Sequence, residues 1–325
     1  MSEFAGAMEG EGVAFQLNHP MQGALRFESE SDGAVRAASR LSLSRFVCEE
    51  LRYSSGDPRE LTSEIRKGIS LPEFGSFKLV VKRIGPAIAP EAVGSLAKDI
   101  GRELAEATHA KVDMETPERV LVLLVADDGY VIGVKLADTS RRTLSSRRNE
   151  LKPFSHHSAL QPEFCRVLVN LARAKPRSLV LDPFCGTGGI MAEACDLGAT
   201  SLGLDFRTSM TKGARTNLTH FRYDRFHLAT GDIRDCPFTK ADSIATDPPY
   251  GKLSPMVKGR SVGETYQDLM ALSRDILPPG GHLSLVCPSD ESADALIREA
   301  GFTLLSKDEI RVHDSLTRSF LAARR

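Results

Sequence analysis

Tryptophan is absent from the 325-residue chain and tyrosine occurs only 5 times, so each aromatic beside a motif carries weight. Cysteine is sparse as well. Cys48, Cys165, Cys185, Cys195, Cys236 and Cys287 are scattered, with no C-x-x-C pair. That spacing supports neither a disulfide framework nor a zinc site, and it fits a reducing, cytoplasmic compartment. No apolar run reaches the ~18–20 residues that cross a bilayer. The acidic start, MSEFAGAMEGEG, lacks the basic-then-apolar order of a secretory signal. An excess of one charge is also missing: 42 Lys+Arg face 43 Asp+Glu. This balance argues against a charged disordered tail and supplies no bulk positive field for nucleic acid. These absences leave a soluble, metal-free globular protein, long enough for about two domains at ~150 residues each.

The C-terminal half alternates short apolar strands with helical stretches. Strand signals fall at 179–181, 201–204, 226–230, 243–246 and 282–287, with two further runs at 302–312 and 318–323. Helical signals fall at 188–197, 207–220, 265–277 and 290–300. Such alternation predicts an α/β fold with a doubly wound, mainly parallel sheet. Four of the first five strands run into an aspartate, at Asp182, Asp205, Asp232 and Asp247. Turn and helix capping explains one or two of these. Four along the carboxyl edge, where open α/β sheets bind ligands, point to a site.

The N-terminal half reads as a small α+β module. It has strands at 77–84, 120–125 and 130–136, and a helix at 90–107 whose Val93, Leu96, Ala97, Ile100 and Leu104 share one face. The expected division is an N-terminal extension over 1–70, the module over 71–140, a basic linker over 141–158 and the α/β domain over 159–325. The linker holds Arg141, Arg142, Arg147 and Arg148 in RRTLSSRRNELK. A charge run of this kind reads either as a solvated connector or as a strap on nucleic-acid phosphates.

The sequence DPFCGTGG, residues 182–189, sits between a strand and a helix. Gly186 and Gly188 around Thr187 let the backbone approach a ligand and aim helix N-terminal N–H groups at it. By itself the glycine pattern also suits a dinucleotide enzyme or a plain tight turn. Two departures decide. Met191 replaces the third glycine of G-x-G-x-x-G, and Asp182 lies four residues ahead of the loop. A carboxylate there repels a pyrophosphate and suits a ligand with an ammonium and a sulfonium, such as S-adenosylmethionine. Asp205, 19 residues after Gly186, is placed to accept ribose hydroxyls, and Asp232 to accept from an adenine amino group.

TDPPYG, residues 246–251, follows the fourth strand. A proline-stiffened turn is the plain reading; its place at the ligand edge supports a chemical one. An exocyclic amine on a nucleobase is planar and a poor nucleophile. The Asp247 carboxylate and the Pro248 carbonyl can each accept one amine N–H, held rigid by the prolines. Tyr250 offers a stacking face to an unstacked base. Asp247 is expected to titrate near its ordinary pKa of about 4 unless its surroundings shift it.

These residues resemble the class I amino-methyltransferases. LKPFSHHSALQPEFCRVLVNLARAK, LVLDPFCGTGGIMAEA, ATDPPYGKLS, LPPGGHLSLVCP and VHDSLTRSF together are similar to the archaeal-type THUMP-domain tRNA (guanine-10 N2)-methyltransferases. The resemblance implies a Rossmann-like, seven-stranded catalytic domain, a THUMP-like RNA-binding module and a ferredoxin-like segment before it. It implies S-adenosylmethionine as cofactor, tRNA as partner, a monomer, and one or two methyls on the guanine N2 amine. In that family the THUMP-type module holds the tRNA acceptor end and acts as a ruler for the target. By the same resemblance Phe154 and HHSALQP pack on the methionine part of the cofactor. Phe206 and Ile233, beside Asp205 and Asp232, join the cofactor set. Arg318, in a matched stretch with His313, Ser315 and Thr317, contacts phosphate. The family usually reads His-Pro where this chain has His156-His157, and a loop His pair is by itself most simply solvated or structural. DPPY also occurs in N6-adenine DNA methyltransferases, and a catalytically silent RNA-binding protein is a third reading.

Overall fold

Side chains that alternate along short strands decide which face of a sheet each residue covers. The computed structural model describes residues 1–68, 70–86, 88–250, 260–289, 293–313 and 316–325. Its first part runs through α1 (Ser2–Gly10), β1 (Gln16–Leu17), β2 (Phe27–Glu28), α2 (Ser31–Ala38), β3 (Phe46–Ser54) and α3 (Glu60–Arg66). Next come β4 (Ser76–Arg83), α4 (Pro90–Thr108), β5 (Lys111–Val112), β6 (Arg119–Ala126), β7 (Gly129–Asp138) and α5 (Arg141–Ser145). Then follow α6 (Pro162–Leu171), β8 (Leu179–Asp182), α7 (Gly189–Asp196), β9 (Thr200–Asp205), α8 (Thr208–His220) and β10 (Phe226–Thr230). The chain ends with β11 (Ser243–Thr246), α9 (Val262–Ile276), β12 (His282–Pro288), α10 (Ala293–Glu299), β13 (Thr303–His313) and β14 (Leu316–Arg324).

Two compact units result. The larger comprises Met1–Val13, Arg40–Arg45 and Thr139–Arg325; the smaller comprises Ala14–Ser39 and Phe46–Asp138. In the larger, seven strands pair in the order β10-β9-β8-β11-β12-β14-β13. The first five are parallel, and β14 runs antiparallel to both β12 and β13. This is the doubly wound sheet that the alternation predicts. Alternate residues feed two apolar layers: Val180, Ala245, Val286 and Phe320 meet α6, while Leu181, Ile244, Leu285 and Leu321 meet α9 and α10. Full burial of each large aliphatic or aromatic side chain contributes roughly 1.5–3 kcal/mol. The chain builds outward from β8 to β9 and β10, then returns to add β11 on the other side. The carboxyl ends of β8 and β11 therefore flank the switch in direction where such sheets hold ligands.

The smaller unit has a five-stranded sheet, ordered β3-β7-β6-β4-β5. Its β6–β7 hairpin turns tightly, with Gly129 at φ 137°, where a Cβ would lie 2.2 Å from the Ser54 carbonyl oxygen. On α4, Leu96, Ile100 and Leu104 are buried against the sheet, as the helical periodicity predicts.

The expected boundaries need correction. Residues 46–54 lie within the small unit itself rather than in an extension that ends at residue 70, because β3 pairs along β7. The first 13 residues belong to the large one. Glu3 accepts hydrogen bonds from the Ser42 backbone (2.7 Å), its hydroxyl (2.7 Å) and the Asn170 amide (3.1 Å). Arg40, buried, donates to the Ala174 carbonyl at 2.6 Å and to Glu11 at 3.0 Å.

Nor is 141–158 a solvated linker. Arg141 and Arg148 are exposed, and the Arg142 side chain lies outside the described residues. Arg147 is buried and bonded at 2.8 Å and 2.9 Å to Glu193 and at 3.1 Å to Asp196. Arg166 binds the same two carboxylates. Two guanidiniums and two carboxylates balance within the fold, so Arg147 is committed to structure rather than to phosphate. Arg147→Ala should lower the unfolding free energy by about 3 kcal/mol, the cost of leaving a buried ion-pair group short of a partner. Exposed Arg148→Ala should stay within about 0.5 kcal/mol. Urea unfolding of both variants checks this; equal effects would contradict the placement of Arg147.

Candidate active site

The loop after β8 is shaped by two glycines in conformations that disfavour side chains, Gly186 at φ 48° and Gly188 at φ 78°. A Cβ on Gly188 would lie 3.1 Å from that of Ala214 on α8, so the loop and α8 pack closely. Gly188 caps α7. Along the carboxyl ends of β8, β9 and β11 opens a cleft of about 700 Å³, counting its mouth. Its wall includes Asp182, Gly186, Thr187, Asp205, Phe206 and Asp247, with His156, Ser158, Ala159 and Leu160 from the segment before α6. The structure thus brings together the glycine loop, two strand-end aspartates and the aspartate of DPPY. Pro249 lines the cleft, while Pro248 is buried beside it and is not part of the wall.

Each carboxylate sits in a different setting. Asp205 accepts the Gly186 N–H at 3.1 Å on one oxygen and the Arg207 N–H at 2.9 Å on the other, which fixes its plane. Asp182 is 2% exposed; one oxygen accepts the Thr246 hydroxyl at 2.7 Å and the Phe184 N–H at 3.2 Å. Burial pushes its carboxyl up to about 7 despite those two bonds. Asp247 has a shielded Oδ1 without a hydrogen-bond partner among the described residues. Burial pushes it up to about 6, against the pull of the Arg318 charge. The ordinary value expected from sequence is therefore corrected: desolvation dominates here.

Several expected site residues are not among those that line this cleft. Asp232 does not line the cleft; it accepts its bonds from the Arg234 N–H at 3.0 Å and from Arg260 at 2.9 Å and 3.0 Å. Burial raises its pKa, but these donors outweigh it and hold the carboxyl below the usual range. Ile233 is buried in the apolar core. Phe154 also lies outside the cleft wall, packed over Gly213 where a Cβ would be 2.0 Å from its ring. Arg318 donates to the Tyr250 hydroxyl at 2.6 Å. Of its matched neighbours, Ser315 lies outside the described residues, as does the His313 side chain.

Sequence reasoning missed three contributors. Asn217, buried on α8, donates to the carbonyls of Phe154 (2.8 Å) and Thr187 (2.9 Å) and accepts the Phe154 N–H (2.9 Å). It ties the segment before α6 to the glycine loop. Arg260, by pairing Asp232, connects the β10 edge with α9, since it also lies 3.4 Å from Asp268. Lys152 is buried, donates to Asn149 at 2.7 Å and has a pKa lowered by burial. Only Lys152 carried a signal, as a cation inside the quoted LKPFSHHS run. Among the described residues no helix is long and apolar enough to cross a membrane, and no group of three His, Cys, Asp or Glu could hold a metal.

This sheet order and cleft define a class I methyltransferase fold. Residues 149–319 match the family described as RMKL-like, methyltransferase domain (UPF0020), and the chain belongs to that family. It is similar to the tRNA (guanine(10)-N2)-dimethyltransferase of Methanothermobacter thermautotrophicus, 28% identical over 98% of this chain and 93% of that one. It is also similar to the tRNA (guanine(10)-N2)-dimethyltransferase of Pyrococcus abyssi, 29% identical over 82% and 80%. Among solved structures, TrmN from Thermus thermophilus superposes with a TM-score of 0.53 at 21% identity, covering 94% of this chain and 93% of that one. The methyltransferase SMU.472, complexed with SAH, gives 0.54 at 13% identity, covering 99% and 95%.

Because Asp247 binds its proton more tightly folded than unfolded, its ionisation opposes folding from about pH 4 upward. That opposition is complete once pH has passed about 6. Asp247→Asn should thus stabilise the free protein at pH 8, by about 1–3 kcal/mol. The gain should shrink as pH falls toward 4. Denaturant unfolding at both ends of this range measures it, and a gain independent of pH would contradict the buried setting of the carboxyl.

Proposed function

We propose that this chain transfers methyl groups from S-adenosylmethionine to the exocyclic N2 amine of guanine in tRNA. The carrying observation is the Asp247 Oδ1, an acceptor without a partner among the described residues, at a cleft rim shared with Asp182 and Asp205. The relatives named as tRNA guanine N2-methyltransferases support guanine in tRNA over adenine in DNA. Within this reading guanine 10 is the target. The enzyme is of the archaeal type, monomeric and cytoplasmic, and works without a metal. The small unit serves as the THUMP-like module on the acceptor end, and exposed Arg141 and Arg148 remain candidates for phosphate contact.

The cleft suits the cofactor chemically. Among the described residues its wall carries three carboxylates against one guanidinium, that of Arg207, which lies 3.5 Å from Asp205. That balance disfavours phosphates and favours a cation. Asp205 would accept from the ribose hydroxyls, and the backbone at Gly186, Thr187 and Gly188 would pass close beside the ligand. Asp182 and the segment at His156 and Ser158 would face its methionine part. When bound, the cofactor supplies an electrophilic methyl on a sulfonium and is left as a neutral thioether.

The protein's own groups prepare the amine. Its lone pair is delocalised into the guanine ring, so the nitrogen must be held while it becomes tetrahedral. Asp247 accepts one N–H and the Pro248 carbonyl the other, which directs the lone pair toward the methyl. Tyr250 stacks on the unstacked base. When the N–C bond forms, the nitrogen becomes cationic and must lose a proton. Asp247, with its carboxyl at about 6, takes that proton and returns it to water. One N–H remains after the first transfer, which leaves Asp247 a hold for a second.

Incubation with labelled S-adenosylmethionine and unmodified tRNA or DNA, followed by nucleoside analysis, tests the reading. N2-methylguanosine from tRNA is the expected product. N6-methyladenine from DNA would replace it with the DNA reading, and tRNA binding without transfer would indicate a silent RNA-binding protein. Asp247→Ala should lower kcat at least about 10³-fold. Cofactor affinity by calorimetry should change less than about threefold, because Asp247 grips the acceptor.

A further inference from the structure

We propose that Arg318 is a positioning residue that governs both halves of the acceptor grip, anchoring Tyr250 by its hydroxyl and holding Asp247 as a carboxylate by its charge. This rests on the reading of DPPY as the acceptor site. The register of the sheet delivers the side chain: Arg318 on β14 lies opposite Pro288, at the carboxyl end of β12, which runs parallel to β11. One guanidinium nitrogen donates to the Tyr250 hydroxyl at 2.6 Å. Its Nε is buried and has no hydrogen-bond partner among the described residues, as is true of the Asp247 Oδ1. A buried donor or acceptor left unmatched costs about 1–3 kcal/mol. Asp247 lines the cleft and Arg318 acts on it electrostatically, so an unmatched acceptor and an unmatched donor belong to one interacting group, which suits a site arranged for an incoming molecule.

The groups around Asp247 single out Arg318. Asp182 at the end of β8 and Cys165 on α6 interact electrostatically with it, and Tyr250 does so from its own loop. His156 lines the same cleft, with its cationic form disfavoured first by burial. Cys287 on β12 also acts electrostatically on Tyr250. Arg207 on the same cleft wall lies 3.5 Å from Asp205; among the described residues Arg318 is the permanent cation that acts on Asp247, opposing the burial that would otherwise protonate it. A guanidinium suits the task because it keeps its charge when buried and presents several donors in a fixed plane.

The test has two readouts. In protein labelled with ¹³Cγ-aspartate, the Asp247 carboxyl signal, assigned by its loss in Asp247→Asn, should titrate near 6. In Arg318→Met, or Arg318→Gln if the first does not fold, it should move up by about one pH unit while the Asp182 signal stays in place. The acid limb of kcat should move with it, so that beyond the loss shared with Tyr250→Phe turnover falls about twofold at pH 7 and about tenfold at pH 5, and this further fall disappears at pH 9. Arg318→Lys should restore the limb, and Tyr250→Phe should lower kcat without moving it. A folded neutral variant whose Asp247 signal and acid limb both stay put overturns the proposal. Wild-type protein that methylates no tRNA overturns the function above instead, and the carboxyl titration then still decides the role of Arg318.

Discussion

Three carboxylates gathered at the ends of neighbouring strands set the terms for this fold. Like charges repel, and burial opposes ionisation, so Asp182, Asp205 and Asp247 can stand at one rim only if surrounding structure holds them there. Strand pairing does part of this, since β8 and β11 are neighbours and the Thr246 hydroxyl reaches Asp182 at 2.7 Å. Backbone N–H groups at Phe184, Gly186 and Arg207 do more, each satisfying an aspartate oxygen. Asp247 receives the least support, and it is the residue the chemistry requires to remain open.

The apolar layers make that arrangement rigid. Phe154 fits over α8 only because residue 213 is glycine, and Asn217 one turn later fastens the same segment to the Thr187 carbonyl. The cleft wall from His156 to Leu160 is therefore set by contacts outside the cleft. Arg166 on α6 and Arg147, just after α5, are both joined to α7 through Glu193 and Asp196. These helices are locked by charge as well as by packing.

Much of this was legible in the chain. Strand-end aspartates, the glycine turn and DPPY are local patterns whose chemistry depends on residue type and spacing, and the cleft brings Asp182, Asp205 and Asp247 together. What escaped depends on distant partners. Nothing in RRTLSSRRNELK distinguishes the buried Arg147 from the exposed Arg148, because Glu193 and Asp196 lie some fifty residues on and meet it only through tertiary packing. The pairing of Asp232 with Arg260 was equally hidden, since the two lie 28 residues apart. The start of α9 was readable but missed: Ser261 and Glu264 form a capping box, which places the helix three residues before its expected start.

The smaller unit is inserted in the sequence of the larger in two pieces, Ala14–Ser39 and Phe46–Asp138, since Met1–Val13 and Arg40–Arg45 join Thr139–Arg325. On a ribosome, every strand of that insertion emerges by Asp138, while Glu3 must await Asn170, 167 residues downstream. The inserted unit can therefore mature first, with the opening helix idle beside the exit tunnel. Docking of α1 on α6 closes a very long loop, the kind of contact that forms late. Catalytic competence would then arrive only after most of the polypeptide has been synthesised.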